Sequence, residues 1–232
     1  MALVKICMPI SAEKYAGIAE ELYYINSKAC DIVEWRYDYL KDDENKPLAD
    51  LISEVKSKLN NKPLLFTYRT LAEGGFAADD VDNYYGINMS AIRSGRLDIV
   101  DIECGKEQKL PEDILAIAHE NGVKVMISKH LFDVALKKDE IIEMLCRMQE
   151  TGGDIVKLAV SVSDAQGAQD VMGAAREMFE KYAKVPIVTI GMGEAGKITR
   201  YPKPFYGSSI TYVRGFRETA PSQLSIEEAV NK

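Results

Sequence analysis

Short apolar runs rich in valine, isoleucine and leucine alternate along the chain with longer segments whose apolar residues recur at helical spacing. The apolar runs predict eight strands, at Leu3–Pro9, Asp31–Arg36, Leu64–Arg69, Ile99–Glu103, Lys124–Ser128, Ile155–Val160, Ile187–Ile190 and Ser209–Val213. The segments between them predict helices at 13–25, 47–60, 80–95, 112–120, 138–150, 165–182, 197–206 and 224–230.

This alternation determines the predicted fold class. Strands separated by helices are joined by right-handed crossovers and form a parallel sheet. Eight such units within 232 residues favour a single-domain (β/α)8 TIM barrel over an open doubly wound sheet. No linker or low-complexity segment interrupts the chain, so we expect one α/β catalytic domain over residues 1–232.

Composition narrows the possible partners. Apolar residues make up 47% of the chain, which is enough for one sizeable core, and the formal net charge is −7. Because the acidic residues are spread along the chain, we expect neither nucleic-acid nor membrane-surface binding, both of which need a basic face. A few arginines can still make a single pocket positive, so an anionic small-molecule substrate remains possible.

The four cysteines and two histidines form no C-x-x-C motif and no zinc-ligand pattern. We therefore expect reduced thiols and no bound metal. The N-terminal segment lacks the long apolar stretch of a signal peptide, and no apolar run reaches the length of a membrane span. These features predict a cytoplasmic protein.

Polar residues occur where most of the predicted strands end, which is where an α/β barrel carries its functional side chains. Strand six is different, because its lysine lies among apolar residues. The residues concerned are Glu34 and Arg36 on strand two, Arg69 and Glu73 at and after strand three, Glu103 on strand four, His130 at the end of strand five and Lys157 on strand six.

Each of these residues also has a purely structural interpretation. Glu34 and Arg36 could form an ion pair inside the barrel, and His130 could be a hydrogen-bonded loop histidine. A buried lysine is rare unless it is paired, so Lys157 needs either a carboxylate partner or a chemical use. The candidate partners are Glu34, Glu103 and Asp101.

Taken together, these residue types predict an enzyme that acts on a carbonyl compound carrying a carboxylate. A lysine amine forms Schiff bases when it is deprotonated, and burial and nearby arginines lower a lysine pKa. Histidine transfers protons near neutral pH, and arginine binds carboxylates through two hydrogen bonds. A class I aldolase acting on an anionic sugar would use the same groups.

Eight segments, in the same order and at similar intervals, resemble the type I 3-dehydroquinate dehydratases. They cover nearly the whole chain, although each is a weak match alone. The segments are E-W-R-Y-D at 34–38, F-T-Y-R-T-L-A-E-G-G at 66–75, D-I-V-D-I-E at 98–103, S-K-H at 128–130, D-I-V-K-L-A-V at 154–160, G-M-G-E-A-G-K-I-T-R at 191–200, G-S-S-I-T-Y at 207–212 and T-A-P-S-Q-L at 219–224.

The resemblance implies Schiff-base dehydration of 3-dehydroquinate to 3-dehydroshikimate in the shikimate pathway of aromatic amino acid biosynthesis. It also implies a homodimer and the absence of a metal or dissociable cofactor. Lys157 would be the Schiff-base lysine, His130 the general acid and base, and Glu73 the carboxylate that orients His130. The substrate-binding residues would be Glu34, Arg36, Arg69, Arg200, Thr219 and Gln223, with Arg200 on the substrate carboxylate and the last two in a lid near 215–224.

The chain also departs from the family pattern. Leu131 follows the histidine where Asp or Asn is usual, Ser161-Val162 replace Met-Pro, and Ser222 replaces a glycine in the lid. Ser222 would restrict the lid if its backbone needs a positive φ. Lys129 is an unusual cation beside His130, but on a strand we expect its side chain to point away from the site.

Two alternatives remain at this point. A class I aldolase would normally need a phosphate site after strands seven and eight, where this chain has Arg200 and G-S-S at 207–209. An inactive barrel could bind a shikimate-like acid without turnover, although the intact lysine, histidine and glutamate argue against it.

Overall fold

The computed structural model describes residues 4–105, 112–203 and 205–231, so Leu3 of the first predicted strand lies outside the described residues. Within these ranges the strands are β1 (Lys5–Ile10), β2 (Ile32–Arg36), β3 (Leu64–Thr67), β4 (Ile99–Glu103), β5 (Lys124–Leu131), β6 (Ile155–Ser161), β7 (Ile187–Met192) and β8 (Ile210–Tyr212). The α-helices are α1 (Tyr15–Asn26), α2 (Leu48–Ser57), α3 (Val81–Arg93), α4 (Glu112–Glu120), α5 (Lys138–Gln149), α6 (Ala165–Glu177) and α7 (Ile226–Val230).

The strands form one parallel sheet in the order β7-β6-β5-β4-β3-β2-β1-β8. β8 pairs with β1, with Ile6 opposite Thr211. The two ends of the sheet meet where the Ser209 N–H donates to the Ile187 carbonyl at 2.8 Å and the Thr189 N–H donates to the Ser208 hydroxyl at 3.2 Å. These contacts close the sheet into the predicted (β/α)8 barrel.

Alternation along the strands separates two apolar layers. Side chains such as Trp35 and Phe66 point outward and pack in the layer beneath the helices, where their rings meet edge to face at 6.1 Å. The inner layer fills the barrel and contains Cys7, Ile32, Leu65, Ile99, Met126, Ile155, Ala159, Val188, Ile190, Met192, Ile210 and Tyr212. The polar inward positions therefore lie mainly at the carboxyl ends of the strands.

Two predicted elements differ from the structure. The helix predicted at 197–206 is wrong, because the chain instead forms a 3-10 segment at Ala195–Arg200. Pro202 follows closely and cannot continue a helix, since it lacks the backbone N–H and clashes with the preceding turn. The strand predicted to reach Arg69 ends at Thr67, so Arg69 lies in the loop after β3.

Among the described residues, no helix has both the length and the apolar composition to cross a membrane. All four cysteines are free thiols, and Cys7 and Cys30 are buried.

Candidate active site

A small cavity lies at the carboxyl end of the barrel, and every residue predicted for the site lines it. Its volume is about 80 Å³, which is small for a ligand pocket. The predicted residues that line it are Glu34, Arg36, Arg69, Glu73, His130, Lys157, Arg200, Thr219 and Gln223. Folding therefore brings together residues from six different parts of the sequence.

Lys157 projects from β6 into the barrel, and only 6% of its side chain is exposed. Its Nζ lies 3.8 Å from Asp101 Oδ2 and 4.4 Å from the centre of the Tyr212 ring. Burial lowers the pKa of Lys157, and the charges of Arg69 and Arg36 lower it further, while Asp101 and Glu34 oppose them. The net direction favours the neutral amine.

Asp101 is therefore the nearest carboxylate to Lys157 among the three candidates. Its Oδ1 is 2.8 Å from Arg69 Nη2 and accepts a hydrogen bond of 2.6 Å from the Ser128 hydroxyl. Glu103 has a different role, because its carboxylate accepts from the N–H and hydroxyl of Thr70 at 2.9 and 2.7 Å. Glu103 thus stabilises the loop after β3. It also binds Arg69, whose Nη1 lies 3.0 Å from Glu103 Oε1.

His130 and Glu73 form a buried pair. Glu73 Oε2 accepts the backbone N–H of His130 at 3.0 Å and lies 3.0 Å from its ring Nδ1. Burial raises the pKa of Glu73 to about 7, partly opposed by Arg69 and Lys129. Burial also lowers the pKa of His130 well below its usual value, as do the charges of Arg69 and Lys157. An ionised Glu73 would hold a proton on Nδ1 and leave Nε2 free to accept one.

Two glycines position Glu73. It ends a short 3-10 segment, Leu71–Glu73, and Gly74 then adopts a left-handed conformation with φ of 78°. A Cβ on Gly75 would lie 2.1 Å from the carbonyl oxygen of Arg69, so only glycine allows the backbone to approach this closely. The Gly-Gly pair therefore turns the chain so that Glu73 lies against the end of β5.

Lys129 does not line the cavity around Lys157, as the alternation along β5 predicts, but its side chain still contacts a residue of the site. Its Nζ lies 2.5 Å from Glu73 Oε1 and the two side chains form an ion pair. The residue does alternate with His130 along β5, but the turn at Leu71–Glu73 carries Glu73 against the backbone of this strand. A long lysine side chain can therefore reach the carboxylate from the neighbouring position.

Glu34 and Arg36 do not pair with each other through any hydrogen bond or salt bridge that the described residues show. Glu34 accepts a hydrogen bond of 2.9 Å from the Thr67 hydroxyl. Arg36 instead binds both carboxylate oxygens of Asp38 at 2.8 Å, and its Nη1 donates to the Thr219 carbonyl at 3.3 Å. The guanidinium is thus held by Asp38 while it contacts the segment after β8.

The segment at 215–224 lies over the cavity. Arg200 Nη2 donates to the Pro221 carbonyl at 2.9 Å, and the Thr219 N–H donates to Gln223 Oε1 at 2.8 Å. Ser222 has a φ of 58°, so this position does adopt the conformation that favours glycine. Burial lowers the pKa of Arg200 to about 10, opposed by Glu218.

Several residues that shape the site received no role from the sequence. Asp38 holds Arg36, Ser128 joins Asp101 to the cluster, and Tyr212 lies against Lys157. Period-two alternation offered a signal for two of them, because Ser128 shares a strand face with His130, and Tyr212 shares one with Ile210 in the inner layer. No group of three or more His, Cys, Asp or Glu residues in the described ranges is placed to hold a metal ion.

Comparison with known proteins identifies the family. The sequence-family model for type I 3-dehydroquinase matches residues 6–231 of this chain. The 3-dehydroquinate dehydratase of Alkaliphilus oremlandii is 38% identical over 228 residues, covering 98% of this chain and 89% of the relative. That of Clostridioides difficile is 35% identical and covers 97% of this chain and 88% of the relative.

Solved structures agree with the sequence matches. The type I 3-dehydroquinate dehydratase from Clostridium difficile with covalently modified comenic acid superposes with a TM-score of 0.90 at 35% identity, covering 100% of this chain and 91% of that one. The enzyme from Enterococcus faecalis gives a TM-score of 0.85 at 33% identity, covering 100% and 93%. This chain therefore belongs to the type I 3-dehydroquinase family, and its enzyme class is that of the 3-dehydroquinate dehydratases, which are hydro-lyases.

Proposed function

We propose that the chain dehydrates 3-dehydroquinate to 3-dehydroshikimate through a Schiff base on Lys157, as a step of the shikimate pathway. The observation that carries this proposal is a buried lysine whose pKa is lowered and which shares one cavity with the His130–Glu73 pair and three arginines. The related structure that contains covalently modified comenic acid supports covalent chemistry in this family.

The first step is imine formation. The neutral amine of Lys157 adds to the C3 ketone of the substrate, and loss of the ketone oxygen as water gives an iminium. Enclosure of the side chain disfavours the ammonium form, which has no lone pair for the attack. The positive iminium then acts as an electron sink for the next step.

His130 carries the protons of the elimination. Its Nε2, unprotonated when Glu73 binds Nδ1–H, takes a proton from C2, and the electrons of that bond move toward the iminium. The C1 hydroxyl then leaves with a proton from His130, which is restored to its neutral form. Hydrolysis of the remaining imine releases 3-dehydroshikimate and returns the amine of Lys157.

The arginines provide the binding groups. Arg200 would bind the substrate carboxylate, because it is buried, lies at the mouth of the barrel and has an Nε with no hydrogen-bond partner in the described part of the chain. Arg36, Arg69 and Glu34 would bind the ring hydroxyls. The carboxylate partners of Arg36 and Arg69 hold these groups in place before the substrate arrives.

We assign a lid function to the segment at 215–224. Its carbonyl groups accept hydrogen bonds from Arg36 and Arg200, and Gln223 folds it by binding the Thr219 N–H. A cavity of about 80 Å³ would have to widen to admit the substrate, and we propose that this segment is the part that moves. Closure would exclude water and complete the site around the substrate.

Borohydride trapping tests the central step. Protein mixed with 3-dehydroquinate and borohydride should gain the mass of the reduced ligand on the peptide that contains Lys157, and should lose activity irreversibly. Lys157→Met should give no adduct and almost no turnover, measured as the ultraviolet absorbance of the conjugated product. Lys124→Met, at the exposed start of β5, is the matched control and should behave as the parent.

His130→Ala separates the proton carrier from the nucleophile. It should lower kcat by roughly 10²–10⁴-fold while the adduct on Lys157 still forms. An active Lys157→Met protein, or an adduct mapped to another lysine, would overturn the Schiff-base mechanism. The homodimer and the cytoplasmic location stay predictions, the first of which light scattering would test.

A further inference from the structure

We propose that Lys129 is a positioning residue that, by binding Glu73, holds His130 in the orientation and tautomer needed for proton transfer. This inference rests on the proposed role of His130 as the proton carrier. Lys129 does not line the cavity around Lys157, so it would act through Glu73 rather than on the substrate.

The two oxygens of Glu73 have separate partners. Oε1 is bound by Lys129 Nζ at 2.5 Å, while Oε2 accepts the backbone N–H of His130 and faces its Nδ1, both at 3.0 Å. The carboxylate is therefore held from both sides. With Lys129 in place, rotation of Glu73 away from the ring of His130 would break a charge-assisted hydrogen bond as well as the contacts with His130.

The charge state of Glu73 also depends on its surroundings. The groups that face it are Arg69 at 3.7 Å, Lys129, His130 and the carboxylate of Glu103. Burial and Glu103 favour the protonated acid and bring its pKa to about 7, whereas the two cations oppose this. A protonated Glu73 could donate to Nδ1 and leave the proton of His130 on Nε2, where it blocks removal of the C2 proton.

Removing Lys129 should raise the pKa of His130 as well as that of Glu73. After burial, the charges that lower the pKa of His130 come from Arg69, Lys157, Arg36 and Lys129. Loss of Lys129 would therefore favour both protonation of Glu73 and protonation of His130. Both changes inactivate the base, and both occur as the pH falls, so they would move the acid limb of the pH profile to higher pH.

The ion pair between Lys129 on β5 and Glu73 in the turn after β3 is well shielded from solvent. Only 16% of the Lys129 side chain and 4% of the Glu73 side chain are exposed. Exposed ion pairs contribute little to stability, because water screens the charges. Here the carboxylate is mostly desolvated, so the charge of Lys129 should affect the pKa of Glu73.

The test compares the dependence of kcat on pH in the parent, Lys129→Gln and Lys129→Arg. An opposite charge nearby lowers a carboxyl pKa by at least about one unit, so Lys129→Gln should reduce kcat roughly tenfold at a pH of about 6 and by less than about twofold at a pH of about 9. Lys129→Arg keeps the charge and should retain the acid limb of the parent. Lys124→Gln removes a lysine from the exposed start of the same strand and is the matched control.

Nitrogen NMR of the histidine rings gives an independent readout. The chain has only two histidines, and a His119→Gln variant assigns the signals. In the parent at a pH of about 8, His130 should carry its proton on Nδ1, whereas Lys129→Gln should shift it toward Nε2 or toward the protonated ring. A role limited to packing would leave this tautomer unchanged.

The outcomes separate the two proposals. If the parent forms no borohydride adduct on Lys157, the proposed function fails whatever the Lys129 variants do. If the parent is trapped but Lys129→Gln keeps the pH profile of the parent, or loses the same factor at every pH, the positioning role is refuted and the Schiff-base mechanism stands.

Discussion

Asp101→Asn tests whether electrostatics set the reactivity of Lys157. Asp101 Oδ2 lies 3.8 Å from Lys157 Nζ, and both side chains are buried. At this separation, two unit charges interact by about 4 kcal/mol when the effective dielectric constant is about 20. The negative charge of Asp101 favours the ammonium form, so its removal should lower the pKa of Lys157 and increase the neutral fraction at a given pH.

The variant has a second consequence at Arg69. Asparagine keeps the size of the side chain but weakens the contact of 2.8 Å with Arg69 Nη2. The less neutralised charge of Arg69 lowers the pKa of Lys157 further, so the two effects have the same sign. Since a buried charge loses a partner, the free energy of unfolding should fall by about 3–5 kcal/mol.

The assay is the rate of imine formation, followed by rapid mixing with 3-dehydroquinate and quenching with borohydride. A change of about 1.4 kcal/mol shifts the pKa of Lys157 by about one unit, which changes the ratio of neutral to charged amine tenfold. The dipole of asparagine should retain part of the interaction of about 4 kcal/mol between Asp101 and Lys157. We therefore expect the rate at a pH of about 6, divided by the rate at a pH of about 9, to rise at least about tenfold. This ratio cancels any loss from altered positioning that is independent of pH.

Asp113→Asn makes the same chemical change at an exposed position on α4 and should leave the ratio and the stability unchanged. Circular dichroism would show that Asp101→Asn is folded under the assay conditions. A folded variant whose ratio equals that of the parent would refute the electrostatic argument, because it would mean that Asp101 does not influence the protonation of Lys157.

Three other substitutions test the binding groups and the loop geometry. Arg200→Ala should raise KM steeply, because truncating a buried charged contact costs about 2–5 kcal/mol; an unchanged KM would refute its role in binding the substrate carboxylate. Gln223→Ala should lower kcat and increase protease cleavage near residue 220, whereas cleavage that ligand does not alter would refute the lid. Gly75→Ala should lower both stability and kcat, because its Cβ would lie 2.1 Å from the Arg69 carbonyl oxygen. Its matched control is Gly86→Ala, where nothing lies within 4 Å of the new Cβ and the helix should gain about 0.5–1 kcal/mol in thermal or denaturant unfolding.

The pattern of the sequence was sufficient to predict the barrel and part of the cavity lining, and the reason is physical. Eight βα units within this length leave few topologies, and parallel strands bring their carboxyl ends to one side of the sheet. Alternation then determines which side chains turn inward, so Glu34, His130 and Lys157 were expected to meet. The segment at 219–223 needed the family resemblance, because no periodic pattern predicts where a loop folds.

The errors arose where the path of the backbone decides the contact. Lys129 was expected to point away from the site, and only the turn that carries Glu73 onto β5 explains why it nevertheless contacts Glu73. Among the carboxylates near Lys157, the pattern could not distinguish Asp101 from Glu103, because both face inward on β4. The distinction depends on Thr70, whose N–H and hydroxyl both bind Glu103.

The contacts of Asp101 also bear on whether Lys157 is a structural ion pair or a reactive amine. Its Oδ1 is taken up by Arg69 at 2.8 Å and by the Ser128 hydroxyl at 2.6 Å. Its Oδ2 faces Lys157 at 3.8 Å, beyond hydrogen-bond length, and has no hydrogen-bond partner in the described part of the chain. A lysine whose purpose was to neutralise this carboxylate would make the short contact that Arg69 makes. Arg69 takes up part of the charge of Asp101, and burial lowers the pKa of Lys157 by more than Asp101 raises it. The net direction therefore favours the neutral amine, which is the form that a Schiff-base lysine requires.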